Sequence, residues 1–219
     1  MPTPEEQLVA AGSLAAALAA RAAASRTVPA REDFHSWLTT SGVASRALGS
    51  GDQFPDFVLP DARGQMVALA DVLRAGPAVI LFYRGGWCPF CSLALAAMQR
   101  AVPQITALGA RVIAIGPDVG SAPSQTVRAR RLAFTVLSDP DNGLALACGL
   151  MFRMPDAMQD FYRSIGIDMP QLHGNATWTL PVPAGFVVDP AGMIRLAHVD
   201  PDYRRRMDPE DALAALRSL

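Results

Sequence analysis

The most constraining feature of this chain is the run Ala78-Val-Ile-Leu-Phe-Tyr83, six apolar residues in succession between Pro77 and Gly85. A run of this length without alternation predicts a strand buried on both faces, the kind found inside helix-covered α/β sheets. Gly85 and Gly86 permit a sharp exit, and a helix is predicted over 88–108 with Leu93, Leu95, Met98, Val102 and Ile105 as its buried stripe. A second buried strand at 111–115 ends at Gly116-Pro117.

Downstream, the pattern predicts a helix at 121–131, a strand at 134–137 and a short helix at 143–149. A hairpin of 186–189 with 193–199 turns at Pro190-Ala-Gly192, and Asp208 caps a last helix over 209–217 with Pro209 in its first turn. Upstream, 56–59 and 65–69 form a hairpin around Asp61-Ala-Arg-Gly64. Residues 1–47 read as two helices. The first, 4–25, is Ala-rich with a Thr3/Glu6 capping box; the second, 31–47, has Phe34, Trp37, Leu38 and Val43 on one apolar face. That face suits either a dimer contact or the chain's own core. The turn at 50–52 divides a helical extension, 1–49, from a domain at 50–219. Residues 150–181 hold a predicted helix at 155–165 and a long Pro/Gly/Asn-bearing loop, and long loops in compact domains are often functional. The order is that of an α/β thioredoxin fold: a central mixed β-sheet flanked by helices, with an added N-terminal β-hairpin and a helical extension.

The chain is 219 residues long, 51% hydrophobic and 18% charged, with a formal net charge of −1. No general field draws it to nucleic acid or an anionic membrane. The clusters Arg128/Arg130/Arg131 and Arg204-Arg205-Arg206 read as solvated faces. Glu5 and Glu6 precede the apolar stretch 8–20, whereas a secretory signal wants positive charge there, and the stretch is too short to span a bilayer. Three cysteines make no disulfide scaffold; one close pair fits a reducing compartment, so a cytoplasmic location is expected.

That pair lies in Tyr83-Arg-Gly-Gly-Trp-Cys-Pro-Phe-Cys91, where a buried strand gives way to a helix. The first turn of a helix has unpaired N–H groups and partial positive charge, which favour a thiolate. In such motifs the thiol pKa falls from about 8.5 to roughly 3.5–7.5. Residues three apart on a helix are neighbours, so Cys88 and Cys91 can close a disulfide. Half of a zinc site is the competing reading, but Cys148 has no cysteine nearby and His35, His173 and His198 are scattered, so no metal or cofactor is expected. Cys148 itself reads as a buried structural thiol. Tyr83, Trp87, Trp178 and His173 are candidates to border the site. Pro183, in Leu180-Pro-Val-Pro-Ala184, stands where the thioredoxin fold places a cis-proline facing the two cysteines, with Val182 offering backbone groups to a partner chain.

The chain resembles the peroxiredoxin-like (alkyl hydroperoxide reductase/thiol-specific antioxidant) branch of the thioredoxin superfamily over about residues 50–219. The carriers are Gly51-Asp-Gln-Phe-Pro-Asp-Phe-Val-Leu-Pro60, Phe82 to Cys91, Leu137-Ser-Asp-Pro140, Leu180 to Asp189 and Val199-Asp-Pro-Asp-Tyr203. The resemblance implies a thiol peroxidase that reduces hydroperoxides and is reset by a thioredoxin-like or small-thiol reductant. The family pattern Pro-x-x-x-Thr-x-x-Cys departs here: Arg84 stands at the proline, Cys88 at the threonine and Cys91 at the attacking cysteine, while the place of the family's activating arginine falls near Pro183, where the chain has no arginine. Arg84 is a candidate substitute. Two registers stay open, with Cys88 or Cys91 attacking first; helix geometry favours Cys88 as the more accessible sulfur. A protein disulfide oxidoreductase without a peroxide substrate, and a redox sensor docking through residues 1–47, are the alternative functions.

Overall fold

The computed structural model describes Gln7, Ala10, residues 12–25 and residues 28–219. Its elements begin with α1 (Leu14–Ser25), α2 (Pro29–Thr40), β1 (Val58–Pro60), β2 (Met66–Ala68), α3 (Leu69–Arg74), β3 (Ala78–Phe82), α4 (Pro89–Ala107), β4 (Arg111–Gly116) and α5 (Ala122–Arg130). They continue with β5 (Thr135–Ser138), α6 (Gly143–Ala147), β6 (Met151–Arg153), α7 (Asp156–Ser164), α8 (Met169–His173), β7 (Thr179–Pro181), β8 (Ala184–Val188), β9 (Ile194–Val199) and α9 (Pro209–Arg217).

Five strands form a mixed sheet in the order β5-β4-β3-β8-β9. β3 pairs parallel with β4 (Ala78 opposite Arg111) and antiparallel with β8 (Ala78 opposite Val188). All five β3 residues and all five β8 residues are buried, as unbroken apolar runs at the centre of a covered sheet require. α4 packs on β4, and α9 packs on α4 and β8. This is the thioredoxin-type α/β arrangement anticipated above. The added hairpin β1–β2 pairs Val58 with Ala68, its turn held by Asp61, whose carboxylate accepts the N–H groups of Arg63 and Gln65. Asp208 caps α9 through Glu210 N–H, with Pro209 in the first turn.

The N-terminal helices differ from the sequence reading. Gln7 and Ala10 are helical as expected, but a bend at Gly12 interrupts the run and α1 starts at Leu14, where Ser13 Oγ accepts the Ala16 N–H at 3.2 Å. The Thr3/Glu6 capping box lies outside the described residues. α2 stops at Thr40 instead of 47: the Thr39 and Thr40 hydroxyls donate to carbonyls of the preceding turn, and Gly42 takes φ +71°. Val43 therefore sits in a turn, yet still packs against the core. Phe34 and Leu38 are buried, and Phe34 lies 6.1 Å from the Phe152 ring and 6.0 Å from that of Tyr203. The apolar face of α2 is thus filled by the chain's own core.

Residues 150–181 hold more than a helix and a loop. β6 and β7 pair antiparallel, Met151 opposite Pro181, and enclose α7 and α8. Among the described residues no helix is long and apolar enough to cross a membrane.

Candidate active site

β3 ends at Phe82, and Tyr83 prolongs it by donating its N–H to Ile115 O at 3.0 Å. The chain then turns at Gly85, φ +138°, where a Cβ would strike the Trp87 indole nitrogen and the Asp118 carboxylate. Gly86 donates its N–H to Asp118 Oδ2 at 2.7 Å, and a Cβ there would meet the Thr126 hydroxyl. This tight exit sets Cys88 at the N-cap of α4 and Cys91 at the third helical position, with Pro89 leading the helix, where a missing N–H costs nothing.

Both sulfurs are buried, Cys88 0% and Cys91 1% exposed, so the expected greater access to Cys88 does not hold. The reason is Arg84. Its side chain folds back over the helix start: Nη2 donates to Cys88 Sγ at 3.3 Å, while the guanidinium stacks 4.3 Å from the Tyr203 ring centroid and 5.4 Å from that of Trp87. The Arg84 backbone N–H donates to Cys91 Sγ at 3.4 Å, and Arg206 Nη2 approaches the same sulfur at 3.8 Å.

These contacts separate the two thiols. Burial alone would raise Cys88, but the Cys91 thiol hydrogen bond and the Arg84 guanidinium outweigh it and hold Cys88 well below the usual thiol range. Burial and the neighbouring Cys88 charge push Cys91 well above that range, against the pull of Arg206 and Arg84. The two thiols titrate as a pair, and these contacts favour the arrangement in which the negative charge sits on Cys88 and the proton on Cys91. Burial opposes the charge on Arg84, yet the nearby thiolate keeps it protonated. Among the described residues no carboxylate pairs with Arg84, and its Nε and Nη1 are buried without a hydrogen-bond partner.

Around the pair, Tyr83 lines a cavity of about 20 Å³ with Cys91 and Arg206, its buried hydroxyl unpartnered. Burial, then Asp118 and Cys91, push its phenol up. Burial also pushes Asp118 up to about 6, despite the Gly86 N–H and Arg130. Arg130 Nη2 donates to Gly86 O at 2.9 Å and to the Ser92 hydroxyl. The arginine clusters read as solvated faces thus turn partly inward, Arg130 to the glycine turn and Arg206 to Cys91, while Arg204 is tied to Asp202 and Glu32.

Of the sequence candidates, Tyr83, Arg84 and Trp87 surround the thiols. Trp178 does not: it is buried, its carbonyl accepts the Met154 N–H, and Arg163 covers its ring at 4.6 Å, so it braces the 150–181 segment. His173 reaches Asp118 at 4.0 Å, not a sulfur; burial holds its imidazole down to about 4, leaving it neutral. The Val182–Pro183 bond is trans, against the cis expectation. Val182 spends its N–H on Leu150 O at 2.8 Å, and Ala184 already pairs with Phe82, so the chain runs extended through Pro183 and the ordinary trans bond serves. Val182 is 1% exposed and offers no backbone group to a partner. Cys148 is fully buried, its thiol raised to about 12 by burial and then Asp139, which fits a structural residue. Among the described residues no cluster of three His, Cys, Asp or Glu could hold a metal. Sequence reasoning missed Arg130, Arg206, Asp118 and Tyr162; Tyr203 carried a signal only through its place in Val199–Tyr203.

Residues 50–197 match the model of the AhpC/TSA family. The chain belongs to the AhpC/TSA family. A Mycobacterium tuberculosis (strain ATCC 25618 / H37Rv) protein bearing a peroxiredoxin name is 34% identical over 102 residues, which is 47% of this chain and 64% of that protein. A Haemophilus influenzae protein also named as a peroxiredoxin is 31% identical over 103 residues, 47% of this chain and 66% of that one. The chain thus matches just under two thirds of these relatives' length. The crystal structure of Peroxidoxin BcpB from Mycobacterium tuberculosis superposes with a TM-score of 0.62 at 21% identity, covering 78% of this chain and 98% of that one. At that identity the likeness concerns the fold alone.

Proposed function

We propose that this AhpC/TSA chain is a thiol-dependent peroxidase that reduces hydroperoxides through Cys88 and Cys91. The observation that carries the reading is the buried, carboxylate-free Arg84 guanidinium 3.3 Å from Cys88 Sγ. Such a cation stabilises a thiolate nucleophile, and its spare Nε and Nη1 donors suit hydroperoxide oxygens. Arg84 must swing off the buried sulfur to admit substrate. The Cys88 thiolate then attacks the outer oxygen of ROOH: an S–O bond forms, the O–O bond breaks, and the departing alkoxide takes a proton to become ROH. Cys88 is now a sulfenic acid. Cys91, as its thiolate, attacks the Cys88 sulfur; hydroxide leaves, takes up the proton lost by Cys91 and departs as water, leaving a disulfide. Arg206 favours that ionisation of Cys91. A thioredoxin-like protein or a small thiol returns two electrons and two protons.

In a second reading Cys91 attacks, as in the family pattern, and its small cavity beside Arg206 favours this. The raised Cys91 thiol weighs against it. Residues 1–49 are read as an extension to the family domain at 50–219. The cytoplasm is the proposed compartment, because a dithiol pair in a chain poor in cysteine suits a reducing environment. Hydroperoxide consumption coupled to a thioredoxin system, run beside insulin reduction, tests the function. Saturable peroxide turnover, absent from the Cys88→Ser/Cys91→Ser double variant, is the expected result; insulin reduction without peroxide turnover would defeat the reading.

A further inference from the structure

The turn that delivers Cys88 to the start of α4 has little packing to hold it. Trp87 borders a cavity of about 260 Å³ on the side of Arg84 and one of about 230 Å³ on the other, the latter lined also by Gly86, Asp118, Thr126 and Arg130. Atoms that face a gap lose dispersion contacts, so the turn depends on its hydrogen bonds. Both backbone groups of Gly86 are taken by side chains of opposite charge. Asp118, in the loop after β4, accepts the Gly86 N–H at 2.7 Å, and Arg130, at the end of α5, donates to the Gly86 carbonyl at 2.9 Å. The same Arg130 nitrogen donates to the Ser92 hydroxyl, which donates to the Cys88 carbonyl at 3.1 Å. One side chain thus ties the turn before Cys88 to the helical turn after it. Asp118 is 1% exposed, and its second oxygen has no hydrogen-bond partner. That oxygen and the Trp87 indole nitrogen, equally unpartnered, both face Gly85, and the neutral His173 comes only to 4.0 Å. Burial pushes the carboxyl up to about 6, so keeping it charged at neutral pH costs free energy. A neutral side chain could accept one N–H at less cost. A buried charge held against a reactive turn points to a role in the site.

We propose that Asp118 and Arg130 are positioning residues for the thiol pair: their two-sided hold on Gly86 fixes Trp87 and the helix start, and so keeps the Arg84 guanidinium on Cys88 Sγ. This rests on the peroxidase reading and names what keeps its nucleophile aligned. The link is short. Arg84 and Cys88 flank the Gly85-Gly86-Trp87 turn, and Arg84 stacks 5.4 Å from the Trp87 ring centroid while donating to Cys88 Sγ at 3.3 Å. Movement of Gly86 displaces both ends of that contact. The charge of Asp118 works the other way, because it and the Cys88 thiolate repel each other. Position and charge can therefore be told apart.

The test compares Asp118→Asn with Asp118→Ala. Both lose the charge, and only Asp118→Asn keeps an acceptor for the Gly86 N–H. The Cys88 midpoint, read from thiolate absorbance against pH, should lie about half a unit higher in Asp118→Ala than in Asp118→Asn. Single-turnover oxidation by hydrogen peroxide is followed by tryptophan fluorescence in prereduced protein and divided by the thiolate fraction. It should be about fivefold slower in Asp118→Ala than in Asp118→Asn, the scale of one neutral hydrogen bond. Arg130→Gln, at the partly exposed end of α5, should slow the same step about fivefold with its urea midpoint near that of the wild type. A merely structural role would lower urea midpoints and leave the Cys88 midpoint and the rate per thiolate where they were. Equal Cys88 midpoints and equal rates in the two Asp118 variants overturn the role of Asp118, and a wild-type rate per thiolate in Arg130→Gln overturns that of Arg130. Should Asp118→Ala not fold, Arg130→Gln decides. If hydrogen peroxide oxidises none of these proteins, the peroxidase reading fails, while the Cys88 midpoints still decide whether the hold on Gly86 sets the thiol.

Discussion

Replacing Arg84 with glutamine removes the cation in contact with the Cys88 thiolate while leaving a polar side chain of similar length. The sulfur is 0% exposed and the guanidinium donates to it at 3.3 Å, so little solvent is available to take over. A hydrogen bond to a charged group contributes about 1.5–3 kcal/mol, and one pKa unit corresponds to about 1.36 kcal/mol. Cys88 should therefore titrate about one to two units higher in Arg84→Gln, with Arg84→Lys between. The ultraviolet absorbance of the thiolate, followed against pH in the reduced protein, measures this; Cys148, raised to about 12, stays silent over the range. Oxidation by hydrogen peroxide at neutral pH should slow by about 10- to 100-fold, through the lost thiolate and the lost donors. An unchanged midpoint for the first ionisation in Arg84→Gln would refute the reasoning, since it would mean that the helix start alone sustains the thiolate.

Arg206→Gln should leave sulfenic acid formation in place and slow disulfide closure about two- to fivefold, because the half-buried contact with Cys91 at 3.8 Å is a weak one; rapid-mixing tryptophan fluorescence separates the two phases. Gly85→Ala should destabilise the protein by about 1–3 kcal/mol in urea unfolding, since φ +138° and the crowding by Trp87 and Asp118 leave no room for a methyl group. His173 is held near 4 in the folded protein against about 6.5 when unfolded. The unfolded chain takes the proton first, so stability is lost as pH falls from about 6.5 to about 4, by up to about 3 kcal/mol. His173→Gln should flatten that limb when its unfolding is compared with wild type across this range. Asp118, raised to about 6 and moving stability the other way, is common to both proteins.

The parts of the fold that were legible in the chain are those written locally. The β3 run, the strand-to-helix switch at Gly85-Gly86 and the Asp208-Pro209 helix start each carry their signal within a few residues. β6 and β7 are three residues each and lie on either side of a 25-residue segment, 154–178, so neither alternation nor a turn announces their pairing. The end of α2 depends on Thr39 and Thr40 hydroxyls competing for backbone carbonyls, which apolar spacing does not register. The site divides the same way. Cys88 and Cys91 stood out by spacing, but Arg130 meets Ser92 from 38 residues away and Arg206 meets Cys91 from 115, and a run of arginines looks the same whether one member faces solvent or sulfur. The burial of Cys88 follows from the Arg84 rotamer and the Tyr203 ring above it, both of which are tertiary facts.

The central claim is that Cys88 is the sulfur that meets the hydroperoxide. Its most direct test is intact-protein mass spectrometry of Cys88→Ser and Cys91→Ser after one equivalent of peroxide, with dimedone to trap sulfenic acid. The account predicts the adduct in Cys91→Ser, mapped to Cys88, and none in Cys88→Ser. An adduct on Cys91 in Cys88→Ser, with none on Cys88 in Cys91→Ser, would contradict it.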